Sequence, residues 1–324
     1  MRRKVVVVTT GGTIASRYDP EADALMSVTS GADLIAMLGG RAPNVETIVE
    51  EFCNLGSNRV DLELSFRLAQ RIDSIQADAT VSGCVVTHGT DTLEESAFLA
   101  SLIIASSKPV VFTGAQRDAD EGDADGPRNL ADAIRIAASP DADGLGTVIA
   151  FGGRILSPVD GTKIHASRTD AYAGWQLGEI DNTEVLIGAH PVARPVISAQ
   201  GVETRIDLIK LTMGCDTRLF DASVASGARG IVLEAFGRGN ATVELAAAVA
   251  RATEAGIVTV VTSRCGEGRV LPLYGDGGGR DLEAAGALFA GRLQGPKARI
   301  VLAVALGDRP GGEGIAPLLL RFGK

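Results

Sequence analysis

The sequence predicts an α/β protein in two domains, the larger and N-terminal one built on a parallel sheet. Three observations predict it. Short β-branched runs alternate with longer helical patterns. The periodicity breaks once, around two prolines at 191 and 195. Aromatics make up only 4% of the 324 residues, so Val, Ile, Leu and Ala must fill cores that a chain of this length can afford.

Taken in order, strands are expected over Lys4–Thr10, Val45–Phe52, Gly83–Thr87, Pro109–Thr113 and Thr147–Phe151. The polar stretch Ser16–Ser27 has no period and contains Pro20. It reads as a mobile surface loop, placed where an active-site lid would hang. Val60–Ile75 carries Leu64, Leu68, Ile72 and Ile75 at helical spacing. Asp91 followed by Glu94 resembles a capping box for a helix through Leu102, and Pro127 suits a first helical turn. Residues 1–190 are expected to form the larger domain, 191–204 the linker and 205–324 a smaller α/β domain. The last should hold strands Ile206–Leu211, Gly230–Leu233 and Ile257–Val261 and an Ala-rich helix, Thr242–Ala255. Gly275–Gly279 reads as a loop.

Composition narrows the function. A net charge of −9 opposes a nucleic-acid partner, because phosphate binding needs a basic surface. The four cysteines (Cys53, Cys84, Cys215 and Cys265) have no metal-ligand spacing and only three histidines accompany them, so neither a metal nor another cofactor is expected. Cys84 reads as a small buried hydrophobe. The start, Met1-Arg2-Arg3-Lys4, lacks a signal peptide's apolar stretch, and no apolar run is long enough to span a bilayer. The expectation is a cytoplasmic protein acting on a small molecule, away from membranes.

Two segments carry the chemistry. Val5–Thr10 delivers Gly11-Gly12-Thr13 to the carboxyl end of a strand, and Val85-Val86-Thr87 delivers His88-Gly89-Thr90-Asp91 to another. Ligands of open α/β sheets bind at such ends. Gly11 and Gly12 allow a sharp turn with exposed amides. The motif alone also fits a purely structural turn, though it lacks the dinucleotide and P-loop patterns. Thr90 and Asp91 fall at a strand-to-helix junction whose free amides can stabilise an anion, while Asp91 alone could be no more than an N-cap. His88 reads as structural. Lys163, in Asp160-Gly161-Thr162-Lys163, could be surface decoration or a base for a threonine hydroxyl.

Together these motifs resemble the bacterial-type L-asparaginases, amidohydrolases with a threonine nucleophile. Phe112–Arg117, Asp125–Leu130, Gly237–Asn240 and Gly295–Arg299 extend the likeness in the expected order over essentially the whole chain. The resemblance implies the two-domain asparaginase-like fold and hydrolysis of L-asparagine to L-aspartate and ammonia. It assigns Thr13 as nucleophile of an acyl-enzyme, and Thr90, Asp91 and Lys163 as a polar cluster that moves protons and orients the substrate. Gly12, Gly89 and Ala115 would line the substrate, and the Thr90 amide would serve an oxyanion hole. Asp91 would hold the substrate ammonium, Ser57 its carboxylate, with Asn58 beside it. Asn240 would be lent to a neighbouring subunit, which implies a homo-oligomer, a dimer or tetramer.

Three positions depart from the family pattern. Its loop tyrosine is absent from Ala24-Leu25-Met26, and Tyr18 either replaces it over Thr13 or is only a loop aromatic. Asn58 stands where many members carry glutamine. The C-terminal loop glutamate has no secure match, with Glu267 and Glu283 both nearby. Alternatives are a mixed glutaminase-asparaginase, since one methylene discriminates by only about 1–3 kcal/mol, and a small-amide sensor with degraded catalysis. A tRNA-linked amidase subunit fits less well, because its usual extra N-terminal domain has no room before a motif beginning at residue 9.

Overall fold

A computed structural model describes residues 3–20, 23–27, 29–41, 43–191 and 196–322. The chain divides into two compact units, Met1–Val196 and Ile197–Lys324. Residues 192–195, within the expected linker, lie outside the described residues.

The first unit runs β1 (Lys4–Thr9), β2 (Ser16–Asp19), β3 (Ala24–Ser27), α1 (Gly31–Ala36), β4 (Glu46–Glu51), α2 (Leu62–Gln76), β5 (Val81–Thr87), α3 (Leu93–Ile103), β6 (Val110–Thr113), α4 (Gly126–Ala138), β7 (Thr147–Phe151), β8 (Arg154–Leu156), β9 (Thr162–Lys163), β10 (Tyr172–Ala173), β11 (Gln176–Asp181) and β12 (Glu184–Ile187). Eight of these strands form one sheet in the order β12-β11-β8-β7-β6-β5-β1-β4. From β4 to β7 the pairs are parallel, as expected. Beyond β7 the sheet continues antiparallel through β8, β11 and β12, so it is mixed.

Val5, Val7, Val85, Val111 and Val148 share a core with Leu34 of α1 and Leu130, Ile134 and Ala137 of α4. The helices α2 and α3 pack on each other and on strands of the sheet. With both faces covered, β5 to β7 are apolar almost without interruption, as buried parallel strands are. Asp61 caps α2 by accepting the Leu64 N–H at 2.8 Å. Pro127 lies in the first turn of α4, where its missing N–H costs nothing.

Because β1 is flanked by β4 on one side and β5 on the other, the strand order reverses there. The crevice at the carboxyl ends of β1 and β5 is the topological switch point of the sheet, where open α/β folds bind ligands.

Two local expectations change. The stretch expected as a loop holds a ribbon: Ser16–Asp19 pairs with Ala24–Ser27, Ser16 opposite Ser27 and Asp19 opposite Ala24, and Asp23 just before β3 has a φ of 47°. The capping box at Asp91 does not form. The N-cap of α3 is Thr92, without a side-chain cap, and both acidic side chains are engaged elsewhere.

The second unit contains β13 (Ile206–Lys210), α5 (Arg218–Ala225), β14 (Gly230–Ala235), α6 (Val243–Glu254), β15 (Val258–Ser263), α7 (Gly279–Ala284), β16 (Leu288–Phe289), α8 (Gly295–Asp308) and α9 (Ile315–Phe322). Its four strands form a parallel sheet in sequence order. Phe220, Leu233, Leu245, Val249, Val261 and Leu282 share its core. Thr242 caps α6 through the Leu245 N–H. No described helix is long and apolar enough to cross a membrane.

Candidate active site

The turn after β1 is held largely by backbone. Gly11 and Gly12 have φ of 99° and 84°, a region closed to most side chains. Space forbids a side chain as well. A Cβ on Gly12 would stand 2.4 Å from the Gly89 Cα and N, and one on Gly11 would stand 2.6 Å from the Leu55 N and O. The two strand-end turns therefore touch through Gly12 and Gly89, with Thr13 and Thr90 each next in sequence to that contact. Thr13 opens a single 3-10 turn closed by Ala15 N–H to Gly12 O at 2.9 Å. Ile14 is buried while Thr13 remains half-buried.

The turn after β5 is held largely by side chains. The Lys163 ammonium donates to Thr90 Oγ1 at 2.8 Å and to Asp91 Oδ1 at 3.1 Å. The Thr90 hydroxyl donates onward to Gln116 Oε1 at 3.2 Å. Tyr172 holds the same residue from behind, its hydroxyl donating to the Thr90 carbonyl at 2.5 Å. Burial, reinforced by the charges of Glu94 and Asp91, pushes the Tyr172 phenol well above its ordinary pKa, so it remains a donor. Glu94, also buried, accepts from Thr162 Oγ1 at 2.7 Å and from the Lys163 N–H. Asp91 stays largely exposed, with its second oxygen available to a ligand.

Ser57 joins this group. Its buried Oγ accepts the Asp91 N–H at 3.2 Å, which leaves its own proton to donate, and its carbonyl accepts Thr92 Oγ1 at 2.8 Å. Gly89 must be glycine for a second reason, since a Cβ there would lie 2.6 Å from Ser57 Oγ. Asn58 is exposed beside it. Buried Ala115 follows Gly114, where a Cβ would stand 2.4 Å from His88 O. The Asp125–Asn129 segment staples this turn: Asp125 accepts the Gln116 and Arg117 N–H groups, and the Asn129 side-chain amide donates to Gly114 O at 3.0 Å.

His88 is wholly buried. Desolvation lowers its pKa despite the Gly89 carbonyl at 2.9 Å from Nδ1, in keeping with a structural, neutral imidazole. Tyr18, on β2, is 53% exposed and donates to Asp23 Oδ1 at 2.6 Å, a bond that raises its pKa. Asn240 belongs to the second unit, where its backbone bridges Phe236 in both directions. Its buried Oδ1 has no hydrogen-bond partner among the described residues.

The structure thus brings together Gly12, Thr13, Ser57, Gly89, Thr90, Asp91 and Lys163. Sequence reasoning missed Glu94, Gln116, Asp125 and Tyr172 as parts of this network. Gln116 and Asp125 sit inside motifs already singled out. Tyr172 gives no local signal, because its bond spans 82 positions.

Comparison with known proteins agrees in both units. Residues 4–192 match the family model described as "Asparaginase, N-terminal", and residues 205–318 match "Glutaminase/Asparaginase C-terminal domain". The chain is 35% identical to the L-asparaginase of Bacillus licheniformis, over 94% of this chain and 96% of that protein. It is 36% identical to a probable L-asparaginase of Deinococcus radiodurans, over 94% and 92%. The crystal structure of a probable cytoplasmic L-asparaginase from Campylobacter jejuni superposes with a TM-score of 0.87 at 27% identity, covering 98% of this chain and 99% of that one.

Proposed function

Because the chain belongs to the asparaginase family, we propose that it hydrolyses the side-chain amide of L-asparagine to L-aspartate and ammonia, with Thr13 as the nucleophile. The observation that carries this reading is the Lys163–Thr90–Asp91 cluster at the switch point, one residue from the Gly12–Gly89 contact that also seats Thr13.

The chemistry follows in two halves. Thr13 Oγ1 attacks the amide carbon, and its proton passes to the leaving nitrogen. Ammonia departs as the carbonyl re-forms, leaving an aspartyl ester on Thr13. A water then adds to that ester, and Thr13 recovers its proton as L-aspartate leaves. Thr90 is suited to the relay because its oxygen accepts from Lys163 while its proton already has a second acceptor, Gln116. In this turn the His88 N–H is committed to Thr113 O and the Asp91 N–H to Ser57 Oγ, with the Gly89 and Thr90 amides between them. Of these the Thr90 amide serves the developing oxyanion. The free oxygen of Asp91 takes the substrate ammonium and the Ser57 hydroxyl its carboxylate, with Gly12, Asn58, Gly89 and Ala115 lining the substrate. Tyr18 activates Thr13 by leaving Asp23 and folding over it.

The same reading makes the enzyme a cytoplasmic homo-oligomer, a dimer or tetramer, in which Asn240 completes a neighbour's site. The unpartnered Asn240 Oδ1 supports that role. The test is ammonia release from L-asparagine and L-glutamine, with Thr13→Ala as control. Release from asparagine that the substitution abolishes is expected, and the two rates fix the amide preference. Tight amide binding without release from either would reject the enzyme in favour of a sensor.

A further inference from the structure

Glu94 is a buried carboxylate on the first turn of α3, and the steps above give it no task. A buried charge is costly unless its oxygens are satisfied. Here both are satisfied by one short segment: Oε1 accepts from Thr162 Oγ1 at 2.7 Å, and Oε2 accepts from the main-chain N–H of Lys163. That segment is β9, which pairs with β10 over two residues only, Lys163 opposite Tyr172 and Thr162 opposite Ala173. So short a ladder does not fix a main chain by itself. By contrast α3 spans eleven residues, with Leu93, Ala97, Phe98 and Leu102 fully buried. The lysine carried on β9 must reach Thr90 Oγ1 and Asp91 Oδ1 at once, on a flexible four-carbon side chain.

We propose that Glu94 is a positioning residue for the reaction. Its carboxylate clamps β9 to the rigid start of α3, so that the Lys163 ammonium stands between Thr90 and Asp91. The proposal rests on the reading of Lys163 and Thr90 as the proton relay. A carboxylate in the first helical turn also favours the helix dipole, and Glu95 beside it shares that effect. The test must therefore separate action through Lys163 from support of α3.

The experiment measures kcat and KM for L-asparagine in the full-length wild type, Glu94→Ala, Glu94→Gln, Lys163→Met and the double variant Glu94→Ala/Lys163→Met. A misplacement of about 1 Å costs up to about 10²-fold, so Glu94→Ala should lose about tenfold to 10²-fold in kcat. KM should move less than about threefold, as for an interaction made in the transition state. Glu94→Gln should recover most of the rate, because its carbonyl can accept the Lys163 N–H while its amide donates to the Thr162 hydroxyl. Added to Lys163→Met, the Glu94→Ala change should cost nothing further.

Equal losses from Glu94→Ala with and without Lys163 would assign Glu94 to α3 stability and overturn the proposal. Wild-type kcat in Lys163→Met would reject the relay reading, and the clamp with it. A loss in Lys163→Met beside an unchanged Glu94→Ala would reject the clamp alone. Should Glu94→Ala fail to fold, Thr162→Val removes one arm of the clamp from a half-buried strand. It should lower kcat several-fold, and wild-type kcat there would also overturn the proposal.

Discussion

The two threonine turns at the mouth of the sheet are built on opposite principles. The first, Gly11–Ala15, is fixed mainly by backbone, through positive φ at two glycines and direct contact with Leu55 and Gly89, with one side-chain bond from Ser16 Oγ to Gly12 O at 3.0 Å. The second, His88–Asp91, is fixed by side chains, with Lys163, Gln116 and Tyr172 all bonded to Thr90. A nucleophile must move its oxygen onto a carbon and off again, so a rigid main chain beneath a half-buried side chain suits Thr13. A relay must hold donors and acceptors at fixed distances, so a side chain tied at each end suits Thr90.

The largest effect should come from breaking the first turn's chemistry. Thr13→Ala is expected to lower kcat by at least about 10⁴-fold with an unchanged far-UV spectrum, as removal of an activated nucleophile does elsewhere. Steady-state ammonia release measures it, and substantial residual turnover would contradict the assignment. Next come the groups of the proposed relay. Thr90→Val and Lys163→Met should each lose about 10²- to 10⁴-fold in kcat, the range of general acid–base catalysis, with smaller changes in KM.

Tyr18 sharpens the contrast, because its hydroxyl is bonded to Asp23 rather than to either threonine. If it swings to Thr13 during turnover, Tyr18→Phe lowers kcat while Asp23→Ala leaves it unchanged or raises it. An unaltered kcat in Tyr18→Phe would leave Thr13 to be activated from the Thr90 side alone. Tyr172→Phe removes one bond to Thr90 and should destabilise the protein by about 1–3 kcal/mol, read by denaturant melting.

The smallest effect lies deeper in β5, away from its mouth. Burial pushes the Cys84 thiol from 9.0 up to about 12. Its folded-state pKa is raised, so the unfolded chain releases this proton first. The stability it protects is intact below pH 9 and drains away as the pH climbs toward 12. Melting temperatures from pH 8 to 11 should fall less steeply in Cys84→Ala than in the wild type.

Much of this was legible in the sequence. The valine run of β1, the helical spacing of Leu64, Leu68, Ile72 and Ile75 in α2 and Pro127 at the start of α4 are local signals, and all three hold. What failed was non-local. Gly152-Gly153, with φ of 59° and 77°, turns β7 back into β8 and begins the antiparallel extension, but the following strand is only three residues long. The spacing of Asp91 and Glu94 suggested a local cap, yet both carboxylates reach Lys163, about seventy positions away. Within the site, motif positions stood out because their glycines and threonines cluster. Tyr172 and Glu94 did not, since what marks them is burial and partner rather than neighbours in sequence.

The central claim is that Thr13, not Thr90, carries the covalent bond. Acid quenching of the wild-type enzyme during turnover of L-asparagine, followed by peptide mapping, tests it most directly. The account predicts an aspartyl ester on the peptide containing Thr13, absent from Thr13→Ala. The same ester on the peptide containing Thr90 would contradict it.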